Sequence, residues 1–139
     1  MSHNKKIKLL GLDLGLRRIG VALSDGEIVA SQDTIRYYNR DEAIGKILGI
    51  CRAEGVEKII LGLSKNKSSE AEDMVRSFAL EINKLMPVPI EFVDETLTSK
   101  EAERVLKGLK IDIFSEKYKQ EIDRISAKLI LEQYLAENS

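Results

Sequence analysis

Ile7-Lys-Leu-Leu-Gly-Leu-Asp13-Leu-Gly-Leu-Arg-Arg-Ile-Gly20-Val-Ala-Leu-Ser24-Asp25 is the stretch whose reading decides the fold. Its two apolar runs, residues 9–14 and 19–23, are short and rich in branched side chains. Gly15 and two arginines separate them, a pattern that predicts a β-hairpin. One acid, Asp13, interrupts the first run between Leu12 and Leu14. A carboxylate in a buried strand costs several kcal/mol unless a cation, an arginine or several N–H donors offset its desolvation. Asp13 therefore pairs with Arg17 or Arg18, caps the turn that Gly15 opens, or forms one arm of a cation site completed from elsewhere in the chain.

The bulk composition limits what that chemistry can be. The chain has 139 residues, 43% hydrophobic and 32% charged, as expected of one domain with a real core and a charged surface. No apolar run reaches the length of a membrane span, and the N-terminal residues lack the core of a signal peptide. The single cysteine, Cys51, excludes an internal disulfide and a cysteine zinc cluster, and it falls on the apolar stripe of a predicted helix. The single histidine, His3, lies in a polar leader, so a Ser-His-Asp or Cys-His hydrolase is excluded. A net charge of −1 means that a phosphate-binding face must come from local clustering.

Outward from the hairpin, residues 27–37 alternate loosely and predict a third antiparallel strand. Asn39-Arg-Asp41 opens a helix to about Glu54, with Ile44, Ile47, Leu48 and Cys51 on one face and Gly55 as its stop. Residues 58–63 form a continuous apolar strand of the kind covered on both sides. A polar loop, residues 64–69, leads into a periodic helix ending near Leu85. Residues 90–93 are a short strand running into Asp94 and Glu95. Thr98 and Glu101 have capping-box spacing, predicting a helix to about Lys107. A mobile loop over residues 108–116 and a last helix over 117–136 complete the chain. The expected architecture is a single α/β domain, residues 1–139. Its five-stranded mixed sheet has three antiparallel strands, then two parallel to the first, flanked by helices.

Two further acids join Asp13. Glu95 follows the C-terminal end of a parallel-type strand, the edge where open α/β sheets bind ligands. Asp123 lies on the apolar sector of the last helix, near Ala127, Ile130 and Tyr134 and opposite Lys117, Glu121, Arg124 and Lys128. It is explained either by a salt bridge to a cation at the core edge or by a metal. Carboxylates converging on one sheet edge suit Mg²⁺ or Mn²⁺, which activate water for phosphodiester hydrolysis without a histidine. Arg17, Arg18, Lys65 and Lys67, with Lys100, Arg104 and Lys107, are the cations that could border such a site and meet phosphates. The first turn carries no aromatic residue, so a base-stacking platform is not expected there.

Gly11-Leu-Asp13-Leu-Gly15-Leu-Arg-Arg-Ile-Gly20-Val-Ala-Leu-Ser24-Asp25, Ile60-Leu-Gly-Leu63, Val93-Asp-Glu-Thr-Leu-Thr98 and Asp123-Arg-Ile-Ser-Ala127-Lys-Leu-Ile-Leu131 together resemble the YqgF family of RNase H-like, Holliday-junction-resolvase-like proteins. The segments occur in the family's order and span nearly the whole chain. The resemblance implies an RNase H-like fold, Asp13, Glu95 and Asp123 at the family's acidic positions, and a cytoplasmic nuclease that matures the 5′ end of pre-16S ribosomal RNA. It implies nucleic acid as partner, RNA in preference to branched DNA, no membrane, and a monomer or weak dimer. The alternatives are a junction resolvase, a non-catalytic RNA-binding assembly factor, or a relative of the actin-like and sugar-kinase folds, whose phosphate loop Asp13, Gly15 and Gly20 also resemble. Two departures touch substrate binding but no proposed ligand: Ser64 with Lys67-Ser-Ser69 replaces a proline and an Asp-Gly-like turn, and Thr96 replaces an arginine.

Overall fold

A computed structural model of the chain describes residues 6–63, 68–94, 104, 107–108 and 115–138. The hairpin is present as β1 (Leu9–Leu14) and β2 (Arg18–Ser24), paired antiparallel from Leu9↔Ser24 to Leu14↔Ile19. β3 (Val29–Ser31) and β4 (Ile35–Arg36) follow, then α1 (Arg40–Glu54), β5 (Lys58–Leu63), α2 (Ser69–Leu85), β6 (Ile90–Asp94) and α3 (Glu116–Glu137). The sheet order is β3-β2-β1-β5-β6, with β4 also on β2. β5 runs parallel to β1, and β6 parallel to β5. The expected mixed α/β architecture is therefore observed.

The sheet has six strands rather than five, because the expected third strand comes in two pieces. Ala22 faces Ser31 and Ile19 faces Ile35, so Gly20 and Val21 of β2 oppose three residues, Gln32, Asp33 and Thr34. One extra residue breaks the ladder as a bulge does and re-aims the side chains after it. Ile35 and Tyr37 then point into the core, while Arg36 stays exposed.

Alternation sorts β1 onto two faces. Leu10, Leu12 and Leu14 pack with Ile59 and Leu61 against Ile44 and Ile47 of α1 and Val75, Phe78 and Ile82 of α2. Leu9, with Ile60 of β5 and Val93 of β6, packs against Ala127, Ile130, Leu131 and Tyr134 of α3. β5 is thus covered on both sides, as its unbroken apolar run requires. Asn39 caps α1 by accepting the Glu42 N–H at 2.9 Å, and Gly55 ends it at φ +65°, a left-handed conformation that favours glycine. Ser115 caps α3 by accepting the Tyr118 N–H at 3.1 Å. Most of the expected helix over 98–107 and of the expected mobile loop over 108–116 lies outside the described residues.

Candidate functional site

Leu9, Gly11 and Asp13 share one face of β1, and that face is covered by α3. A Cβ on Gly11 would stand 2.5 Å from Leu131 Cγ, so the helix rests directly on the strand there. Asp13, two residues further on, projects toward the same layer. Its cross-strand partner is Gly20. A Cβ on Gly20 would stand 2.2 Å from the backbone oxygen of Asp123, well inside contact distance. The missing side chain at position 20 is what lets α3 bring Asp123 down onto β2 beside Asp13. Two acids 110 residues apart are thereby placed on one sheet face, at the C-terminal end of β1.

Asp123 lies on the inward face of α3, in line with Ala127, Ile130 and Tyr134, and its side chain is 15% exposed. Its carboxylate accepts from Arg18 Nε at 2.9 Å. The Arg18 guanidinium reaches further, to Glu116 at 3.7 Å, and Glu116 is also paired with Arg36. Arg18 is therefore occupied by carboxylates, while Arg17 beside it in the turn is exposed to solvent. Gly15, Leu16, Arg17, Arg18 and Asp123 line an open cleft of about 300 Å³. The turn that forms its wall is held at both ends. Gly15 donates its N–H to the Arg18 carbonyl at 2.9 Å, and the Tyr37 hydroxyl donates to the Gly15 carbonyl. Tyr37 is buried, its ring edge-on to Phe78, and burial raises its hydroxyl pKa above the ordinary value.

Of the residues singled out from sequence, Arg17, Arg18 and Asp123 line one cleft, and Asp13 lies on β1 across from Gly20, where the backbone of Asp123 rests. Glu95, Lys65 and Lys67 lie outside the described residues, as do Lys100 and Thr96. β6 ends at Asp94, level with Leu63 of β5, at the same sheet edge that β1 presents with Asp13. Asp13 and Asp123 are hard oxygen donors of the kind that Mg²⁺ and Mn²⁺ prefer. Among the described residues no three His, Cys, Asp or Glu side chains come together as a metal-holding group. Arg36 and Glu116 join the site without any local sequence signal, since only the bulge before β4 and the start of α3 bring them there. Cys51 is buried in α1, its thiol pushed up to about 11 by burial, which leaves it a core residue as its helical stripe predicts. No described helix is long and apolar enough to cross a membrane.

Comparison with known proteins adds five findings. The profile of a family described as RuvX, Holliday junction resolvase, matches residues 7–137. A "Putative pre-16S rRNA nuclease" of Chloroflexus aurantiacus is 36% identical over 132 residues, covering 91% of this chain and 85% of the relative. A protein of the same name from Thermosynechococcus vestitus is 37% identical over 134 residues, covering 93% and 87%. Among solved structures, Thermus thermophilus RuvC in complex with a Holliday junction substrate superposes with a TM-score of 0.61 at 13% identity, over 96% of this chain and 97% of that one. The fowlpox virus Holliday junction resolvase superposes with a TM-score of 0.57 at 10% identity, over 94% and 99%. At these identities the structural likeness is one of fold.

Proposed function

Because the chain belongs to the RuvX (YqgF) family, whose profile spans residues 7–137, we propose that the cleft lined by Arg17, Arg18 and Asp123 cleaves the precursor of small-subunit ribosomal RNA. The protein is a hydrolase of phosphodiester bonds. The observation that carries the reading is that Gly20, the cross-strand partner of Asp13, is where α3 sets the backbone of Asp123 against the sheet. A strand and a helix that only needed to pack together would carry apolar side chains at positions 13 and 123.

Asp13, Glu95 and Asp123 would hold Mg²⁺ or Mn²⁺, which when bound supplies an activated water and neutralises charge on the phosphate. The chain's own residues supply the rest. Arg17, exposed at the cleft's lip, meets a backbone phosphate, and Arg18 orients Asp123 and offers its remaining N–H groups to the substrate. Lys65 and Lys67 are the further phosphate contacts of this reading. Tyr37 fixes the turn so that these cations stand still relative to Asp13. The whole chain acts as one nuclease domain in the cytoplasm, as a monomer or weak dimer. RNA is preferred over branched DNA because the relatives at 36–37% identity carry the pre-16S name, whereas the solved junction resolvases, at 10–13% identity, share only the fold.

The test is cleavage of an end-labelled pre-16S RNA fragment and of a four-way DNA junction, with Mn²⁺, Mg²⁺ or EDTA. The expected result is metal-dependent cutting of the RNA, lost in Asp13→Asn and Asp123→Asn. Cutting of the junction alone would reassign the substrate. RNA binding without cutting under every condition would make the protein an assembly factor.

A further inference from the structure

The first turn has no aromatic residue of its own, yet the fold brings one to it. Arg18 of β2 faces Arg36 of β4, and the next step of the ladder is made by the Tyr37 N–H donating to the Arg17 carbonyl at 3.1 Å. Tyr38 is the next residue after Tyr37, whose N–H and hydroxyl are both bonded to the turn that carries Leu16. Leu16 lines the cleft. Both side chains are strongly exposed, Leu16 at 80% and Tyr38 at 86%, the two highest values among the exposed large apolar side chains of the described residues.

Tyr38 is exposed but not loosely held. Its N–H donates to Glu42 Oε1 at 2.8 Å, and Glu42 is itself fixed by donating its N–H to the Asn39 cap of α1. Tyr37 on one side is locked in the core by its hydroxyl bond to Gly15. The backbone at 38 is thus clamped at both ends while the ring faces water. Arg17, whose carbonyl accepts the Tyr37 N–H, is exposed in the same turn as Leu16. An aromatic face with an apolar neighbour and a cation one residue away matches one repeat of a single strand: a base to stack and a phosphate to neutralise. A paired base, shut inside a duplex, could not lie on the ring.

Resting on the nuclease reading above, we propose that Tyr38, with Leu16, is the stacking platform for an unpaired base beside the scissile region, and that Arg17 holds the adjoining phosphate. Substrate selection then favours single-stranded or splayed segments over continuous duplex. The subsite is complete in one copy of the chain.

The test uses the full-length protein in EDTA, so that nothing is cut, with a 12-nucleotide single-stranded RNA carrying one 2-aminopurine and the same sequence as a duplex. Stacking is worth about 1–3 kcal/mol per base, so Tyr38→Ala should bind the single strand about tenfold more weakly. It should also lose the fluorescence quenching of 2-aminopurine. Tyr38→Phe should retain both within about twofold, duplex binding should be unchanged, and both variants should melt with the parent because the side chain is 86% exposed. Equal loss in Tyr38→Phe and Tyr38→Ala, or unchanged single-strand binding in Tyr38→Ala while the parent still cleaves RNA, would overturn the platform and leave the nuclease standing. Failure of the parent to bind the single strand would also overturn the platform, while the nuclease reading stands or falls on cleavage with metal.

Discussion

Arg18 Nε stands 2.9 Å from Asp123 Oδ2, a bond that joins the second strand to the last helix across 105 residues. It has a direct consequence for how Asp123 responds to substitution. A fully buried pair that loses one member costs about 3–5 kcal/mol, because a charge is left stranded. Arg18 would not be stranded. Its side chain is 29% exposed, and Glu116 remains 3.7 Å away. Asp123→Asn should therefore lose only about 1 kcal/mol in EDTA, within the range of a partly solvated pair. Urea unfolding measures it. The gain in stability from added Mn²⁺ should shrink in the variant, since that gain scales with affinity for the folded state. A metal-independent loss of 3 kcal/mol or more would make Asp123 a structural acid.

Gly20 and Gly11 test how α3 is seated. At Gly20 the obstacle to a methyl group is the backbone of Asp123, with its oxygen at 2.2 Å and its carbonyl carbon at 2.8 Å. At Gly11 the obstacle is the Leu131 side chain, which can change rotamer at a cost. Gly11→Ala should cost about 1–3 kcal/mol as overpacking does, and Gly20→Ala distinctly more, because a helix must move. Gly20→Ala should also lose cleavage beyond what its unfolded fraction explains. Equal costs in the two variants would mean that α3 sits less tightly over β2.

Much of this arrangement was legible before any coordinates. The alternation in β1 already set Asp13 apart from its apolar neighbours, and the helical period already turned Asp123 inward. The cations were harder to place. Arg17 and Arg18 are adjacent, so sequence treats them alike, but the strand period sends them different ways and only Arg18 reaches Asp123. The break in the third strand was missed because an extra residue leaves hydrophobic alternation intact on either side of it. Tyr38 lay outside the reading of the first turn for the same reason, since β4 comes back to that turn only through the bulge.

Arg17→Ala removes the one exposed guanidinium at the lip of the cleft. Each phosphate contact releases about one counterion, so the slope of log affinity against log salt should fall by about one. Stability should stay within about 0.5 kcal/mol, as for other surface changes. Filter binding of RNA at several salt concentrations reads the slope. An unchanged slope would put the phosphate path elsewhere.

Tyr37→Phe deletes the hydroxyl that holds the Gly15 carbonyl and leaves the ring in the core. A loss of about 1 kcal/mol is expected from one hydrogen bond. If the bond serves to fix the turn, KM for RNA should rise more than kcat falls. A change in kcat alone would contradict that role.

Cys51 gives the pH dependence its sign. Its side chain is 3% exposed in α1, and burial pushes the thiol up to about 11, with Arg52 opposing weakly. Unfolded, the thiol ionises near its ordinary value of about 8.5. Between those two values the unfolded chain has lost a proton that the folded chain keeps. Stability therefore falls with rising pH through that window, by up to about 1.4 kcal/mol per pH unit from this group alone, and the contribution is intact below it. Cys51→Ala removes the contribution and leaves a small cavity. Its stability deficit relative to the parent should be constant from pH 6 to 8, then narrow as pH rises to 10, in urea titrations at fixed salt. Iodoacetamide should alkylate the parent slowly at pH 8 and rapidly once urea has unfolded it. A deficit that stays flat to pH 10, or a fast reaction in the folded protein, would mean that the thiolate forms readily inside α1 and that the helix packs less closely there than its apolar stripe requires.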